Sequence, residues 1–453
     1  MTPKKIIIST LILMCGFAKA QQQNSSFSLQ QAIDYSIKNS PNYLNANEDV
    51  KLAVYKKNEV AGLGLPQINS SFDFKDYFNI PVSIVDASAF NPSIPKGTYN
   101  ALSFGLKYNA TAGFSASQLL FSADYLFGVK AAKEYVALSK ISAQRSKTDL
   151  IAQVSKAYYN VLINKERLKL IDANIIKLNK SLFDLKAYNK QGLVELIDVE
   201  RLEVTSNNLA TEKEKVTQLI GVGESLLKFQ IGYKINEPIV LTDSLNLTED
   251  LKQDVTINSF DFSKREDYQL IKAQQSLLNM DVKRLKWGYL PTLVAYGSYQ
   301  YNTIRPVANI FETDKNNAVK KWYPISLIGL TANLTIFDGL QRNYKIQQAK
   351  VNLQKNVNNL KTIELAAQLE SSIAGITFNN AIKTLKNNER NMTLAKHIYE
   401  VSQKKLEQGI GSNLEIVNAQ TSIREAEINY FNAIYELIIA KIDYQKATGT
   451  LVK

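Results

Sequence analysis

"NKQGLVELIDVE", residues 189–200, contains Gly192, the first glycine after Gly128, and no proline separates the two. The same punctuation returns 217 positions later in "LEQGIGSNLEIV", residues 406–417, where Gly409 stands in the place of Gly192. Between Gly128 and Gly192 lie 63 residues without glycine or proline. At about 1.5 Å per residue, such a run builds roughly 95 Å of helix. Helices of globular proteins average only about 10–14 residues. The stretch from about Leu340 to Gln408 repeats the pattern, with Gly375 as its only interior glycine. Alanines recur along the first run (Ala131, Ala132, Ala137, Ala143, Ala152, Ala157), so neighbouring helices can approach closely. Gly192 and Gly409 are expected to end the two long helices, because glycine takes the left-handed conformation at a helix end without steric cost.

The offset of 217 aligns more than the two glycines. Ala132-Lys133 falls on Ala349-Lys350, Asp198-Val199 on Glu415-Ile416, and Gly232 on Gly449. The chain therefore reads as two structural repeats. Each repeat runs helix, two strands, long helix, return helix. The return helices are expected over Glu195 to about Ile231 and Asn413 to about Thr448. The opening helices are expected over about Leu29 to Leu63 and Ser263 to Gly288. Residues 1–20 read as a signal peptide, 21–232 as the first repeat, 233–262 as a connecting segment and 263–453 as the second repeat.

The leader reading rests on Lys4 and Lys5, the short apolar run Ile6–Met14 and a small-x-small site at Ala18-Lys19-Ala20. The one cysteine, Cys15, lies inside it, with Met14 rather than a small residue before it, which argues against lipidation. Its removal leaves no thiol for disulfides or metal. The net charge of +12 is spread along the chain and forms no block, as on a solvated helical surface. No nucleic-acid partner is expected. His397 is the only histidine and lies within a long helix. No phosphate-binding glycine loop, nucleophile elbow or acid–base pair stands out. Neither catalysis nor a cofactor is expected.

The strand segments carry period-2 alternation. From Leu102 to Ala116 the even positions read Leu, Phe, Leu, Tyr, Ala, Ala, Phe, Ala, and the odd ones Ser, Gly, Lys, Asn, Thr, Gly, Ser. Ile328 to Ile336 alternates in the same way. Ile68, Phe72 and Phe74 mark a partner strand, and Leu293 to Tyr301 another. One apolar and one polar face suit a membrane barrel with a wet interior, belted by Tyr296, Tyr299, Tyr301, Trp322 and Tyr323. A soluble sandwich with one buried face would show the same alternation. Four strands cannot close a barrel of useful size, and unpaired edges are costly in lipid. Closure then requires several copies. Asn79–Tyr99 and Ile304–Tyr323 read as external loops.

This layout, with "GLVELIDVERLE" (192–203) and "GIGSNLEIVNAQ" (409–420), resembles the TolC-like outer-membrane efflux proteins. The resemblance implies a mainly α chain with a membrane β-barrel portion. In a homotrimer, four strands per chain would make a 12-stranded β-barrel continued by a long periplasmic α-helical barrel. It implies an outer-membrane exit duct for small molecules, with a periplasmic adaptor, an inner-membrane pump and outer-membrane lipid as partners. A type I protein-secretion exit stays open beside efflux, and a non-pore coiled-coil stalk or adhesin is the reading of a different class. By the same resemblance, Gly192, Leu193, Val194, Gly409, Ile410 and Gly411 would dock the adaptor. Asp198, Glu415 and Asn418 would form the periplasmic gate. There is one departure: the family's latching arginine position is Gly411 here, and its threonine position is Ile197.

Overall fold

The computed structural model describes residues 26–103, 105–245, 261–314 and 316–451. The signal-peptide reading and most of the connecting segment lie outside them. In chain order the elements are β1 (Ser26–Phe27), α1 (Leu29–Asn39), α2 (Pro41–Gly62), β2 (Gln67–Asp76), β3 (Val82–Asp86), β4 (Tyr99–Ser103), β5 (Tyr108–Phe121), α3 (Ala123–Lys190) and α4 (Leu196–Ile231). Then follow β6 (Val240–Leu241), α5 (Glu266–Trp287), β7 (Thr292–Arg305), β8 (Tyr323–Asn333), α6 (Gln341–Glu407) and α7 (Asn413–Ala447). The two long helices hold 68 and 67 residues. α3 starts ahead of Gly128, whose missing side chain leaves van der Waals room for Val60. The opening helix expected over Leu29 to Leu63 is two helices. Ser40 is extended (φ −67°, ψ 119°), as the residue before a proline prefers, and Pro41 starts the second.

The elements form two compact units. The first gathers the described residues of Met1–Leu44, Ser146–Phe260 and Leu369–Lys453. One of its cores sets Leu150, Val154 and Tyr158 of α3 against Phe27, Leu227 and Ile231. The Tyr158 hydroxyl donates to the Phe27 carbonyl at 3.0 Å, and β1 pairs in parallel with β6. A second core packs Phe378 and Leu385 of α6 on Phe431, Ile434 and Leu437 of α7. A third, nearer Gly192, joins Ile171 and Leu178 of α3 to Leu202, Leu209 and Val216 of α4. Ala143, Ala152 and Ala157 are buried, as their small size suggests. Ion pairs Lys165–Glu224 (2.7 Å), Lys213–Asp172 (2.8 Å) and Arg167–Glu212 tie α3 to α4. Lys213–Asp172 is exposed, and a pair of that kind is worth only about 0–1 kcal/mol, whereas Arg167–Glu212 is partly buried.

Glu427 of α7 is buried in this unit and accepts from Asn174 Nδ2 of α3 at 2.9 Å. Burial pushes its carboxyl above the usual range, against the Asn174 bond and the charges of Lys396 on α6 and Lys177 on α3. A raised pKa favours folding while the group is protonated, and that advantage fades as pH rises through the folded value. Above the ordinary carboxylate range the wild type therefore bears a cost for burying this group, either as a charge or through taking up a proton. Glu427→Gln keeps an acceptor for Asn174 and should stabilise by about 1 kcal/mol near neutrality. Thermal melts of the two proteins should differ at about pH 8 and converge below about pH 3, where the carboxyl is neutral in both states. A gap that widens toward acid would contradict this assignment.

The second unit comprises Asn45–Arg145 and the described residues of Asp261–Gln368. Its centre is an antiparallel four-stranded sheet in the order β2-β5-β7-β8. The register pairs Ile68 with Ala116, Phe114 with Tyr299, and Gly297 with Ile328. One face therefore carries Ile68, Phe72, Phe74, Phe114, Leu293, Ile328 and Leu330, and it is exposed, with Ile328 at 94%. The opposite face is mainly polar: it carries Asn69, Asp73, Thr111, Ser115, Gln300, Asn302 and Thr331, interrupted on β7 and β8 by Tyr296, Ile304, Ile325 and Leu327. β2 and β8 are open edges of this sheet.

Two strand expectations are corrected. The alternating run from Leu102 to Ala116 is not one strand. Leu102 and Ser103 belong to β4, which pairs with β3 in a separate hairpin. The Asp86 carboxylate accepts from the Ser88 and Gly97 N–H groups and fixes that hairpin's turn. The Asn79–Tyr99 loop thus holds most of a second small sheet. The other loop folds around Arg305, which is 1% exposed. Its guanidinium donates to the carbonyls of Asn309, Glu312 and Lys320 at 2.5, 2.6 and 3.1 Å.

Candidate functional site

Both glycine turns lie in the first unit. Gly192 has φ 75° and Gly409 φ 76°, the left-handed region each was expected to occupy. At the end of α3, Gly192 N–H donates to the Asn189 carbonyl (2.9 Å) and Leu193 N–H to that of Tyr188 (3.0 Å). At the end of α6, Gly409 N–H donates to Leu406 (2.9 Å) and Ile410 N–H to Lys405 (3.0 Å). This pair of bonds is the Schellman motif, which satisfies carbonyls left over at a helix end. Gly232 and Gly449 close α4 and the region after α7 in the same way, with φ 74° and 66°.

The turns differ in how the next helix starts. Ser412 caps α7 by accepting from Glu415 N–H at 3.2 Å, whereas Glu195 before α4 makes no side-chain cap. Instead, Asn189 Nδ2 donates to the Val194 carbonyl across the first turn, at 2.9 Å. Leu193 and Ile410 are 68% and 74% exposed, while Val194 is half-buried. Leu196, Ile197 and Leu414 add exposed apolar surface that the sequence reading left out. Gly411 is tightly held. A Cβ there would lie 2.8 Å from Leu406 N and 2.9 Å from Lys405 Cβ, so no side chain fits without moving the turn.

The three acidic and amide positions are distributed unequally. Asp198 is half-buried, and its Oδ2 accepts from Asn413 Nδ2 at 3.1 Å. Its other oxygen faces Arg201 at 3.6 Å. This bond joins the start of α4 to the start of α7. Val417 of α7 packs beside it on the α3–α4 core. Glu415 is exposed and faces Lys405 of its own turn at 3.9 Å, so its charge is partly balanced within the chain. Asn418 is exposed and is not brought to Asp198 by any bond. Asn413, Arg201 and Lys405 escaped sequence reading because each acts through a neighbour brought close only by packing. Among the described residues, no group of histidine, cysteine or carboxylate side chains could hold a metal, and no helix is long and apolar enough to cross a membrane.

Comparison with known proteins places these features in context. Residues 265–450 match the family described as outer membrane efflux protein. The chain is 22% identical over 452 residues to outer membrane protein TolC of Escherichia coli (strain K12), across 97% of this chain and 85% of that one. It is 19% identical over 343 residues to outer membrane protein TolC of Vibrio cholerae, across 75% and 77%. Among solved structures, the Campylobacter jejuni CmeC outer membrane channel superposes with TM-score 0.75 at 17% identity, across 93% of this chain and 86% of that one. The open-state Neisseria gonorrhoeae MtrE outer membrane channel gives 0.70 at 14% identity, across 93% and 89%.

Proposed function

We propose that this chain, which belongs to the TolC-like outer-membrane efflux proteins, is the outer-membrane exit duct of a tripartite system and passively conducts small molecules outward. The observation that carries the reading is the sheet. It has one exposed apolar face, one polar face and two open edges. Water would not favour the first, and lipid would not tolerate the last. Both are resolved if three copies pair β2 of one with β8 of the next. That ring is a 12-stranded barrel, apolar outside and polar within. A head-to-tail contact of this kind closes only when the rotation between copies completes a circle.

In this reading, residues 21–232 and 263–453 are two repeats of one plan, and the helices continue the barrel into the periplasm. The exposed Leu193 and Ile410 turns, with Gly192, Val194, Gly409 and Gly411 shaping them, dock a periplasmic adaptor. Asp198, Glu415 and Asn418 lie where the duct narrows. The Asp198–Asn413 bond supplies the latch that Gly411 and Ile197 do not. The chain performs no catalysis, and an inner-membrane pump supplies the energy.

The substrate class is tested by deleting the gene and measuring tolerance to drugs, dyes and metal ions beside the set of secreted proteins. Lower tolerance with unchanged secretion is expected. Unchanged tolerance with a missing secreted protein would assign the duct to protein export instead.

A further inference from the structure

We propose that a cavity where the sheet meets the helices of the second unit binds a small anion carrying a phosphate or carboxylate group. The cavity measures about 400 Å³ and is lined by three cations, Arg284, Arg342 and Lys345, and by two carboxylates, Asp124 and Asp338. The three cations are not equivalent. Arg284 is neutralised: it donates to Asp281 at 3.0 and 2.8 Å and to Asp124 at 2.7 Å. Arg342 is not. Its guanidinium lies 4.9 Å over the Tyr289 ring. Its one carboxylate neighbour, Asp338, is 3.9 Å from Nε, beyond hydrogen-bond reach. Asp338 instead accepts from the Arg342 backbone N–H at 3.0 Å, so the carboxylate is engaged in capping α6. The terminal guanidinium nitrogens have no hydrogen-bond partner among the described residues.

Lys345 stands one turn further along α6, also lines the cavity, and has no ion pair among the described residues. Like charges three apart on a helix repel weakly, a cost that a bound anion would relieve. A planar guanidinium beside an ammonium matches an oxyanion, to which both donate charge-assisted bonds. The wall opposite is polar. Thr292 and Asn333 face each other across β7 and β8 and point to the polar face of the sheet. The volume exceeds that of bare phosphate, so the class is a small organic anion. That the polar face lines a duct, making the anion a solute in passage, rests on the function proposed above.

Calorimetric titration of the full-length protein in neutral detergent with inorganic phosphate, at constant ionic strength, tests the site. Saturable binding is expected. Arg342→Gln and Lys345→Gln should each weaken it about tenfold, the cost of one charge-assisted bond. Lys345→Arg should restore it. Asp338→Asn keeps the helix cap, since asparagine accepts the same N–H, and should tighten binding by removing a repelling charge. An unchanged assembly mass controls for folding. In lipid discs, loss of the phosphate signal on adding an anionic phospholipid would assign the site to a headgroup, and an unchanged signal to a solute. Heat without saturation, or saturation that Arg342→Gln and Lys345→Gln leave unaltered, would overturn the site. The titration needs no transport. A chain that fails to conduct leaves it standing, and a conducting duct that binds no phosphate defeats this inference alone.

Discussion

Gly113→Val protein should be missing from the assembled membrane fraction. Gly113 sits in β5, the strand that pairs with β2 on one side and β7 on the other, and its register partner is Gln300. A Cβ there would lie 2.5 Å from the Gln300 Cα and 2.5 Å from the Tyr299 carbonyl oxygen. Both are backbone atoms and cannot swing aside as a side-chain tip would. Valine would have to push β5 and β7 apart, and that breaks the ladder at the middle of the sheet. Overpacking costs about 1–3 kcal/mol where neighbours can adjust, so about 3 kcal/mol or more is expected here. In the proposed three-copy barrel each copy would carry the same defect. Assembled protein should fall more than about tenfold on that energy. Gly221→Ala is the control. It lies in a helix with open space at its Cβ position and should be neutral or slightly stabilising. Normal yield of assembled Gly113→Val protein would show that β5 and β7 do not pair in this register.

Asn413→Leu and Asp198→Ala should raise the resting leak of the reconstituted channel. Asp198 and Asn413 join the two turns at 3.1 Å, and the acceptor is a carboxylate, so the bond belongs to the stronger class. Its loss is worth about 1.5–3 kcal/mol. If that energy favours the closed tip, the open population rises by roughly ten- to a hundredfold. The double variant should leak no more than the worse single one, because both remove the same bond. Gly411→Arg should not tighten the tip, since the turn has no room for a side chain at that position. It should instead disturb the end of α6. A leak unchanged by Asn413→Leu would remove the bond from any role in closure.

Much of the architecture was legible because glycine, proline and alternation are local signals. Gly192 and Gly409 ended their helices with positive φ. The four paired strands lay where apolar residues alternated. Ser40 and Pro41 show where reading fell short: a helical pattern spanned them, and the proline broke it. Leu102 and Ser103 show a different limit. Alternation records which face a residue takes but not which strand it pairs with, and these two joined β3 instead of β2. At the tip, Gly411 could be placed by its neighbours in sequence. The Asp198–Asn413 bond could not, because 215 positions separate its ends and only the packing of α4 beside α7 brings them together.

The central claim is that one chain supplies part of a barrel wall and that copies complete it. Native mass measurement of the purified full-length protein, followed by planar-bilayer recording of the same sample, tests this most directly. The account predicts a three-copy assembly whose conductance disappears when the assembly is dissociated. A stable single-copy protein in detergent, or a three-copy assembly that passes no current under any holding potential, would contradict it.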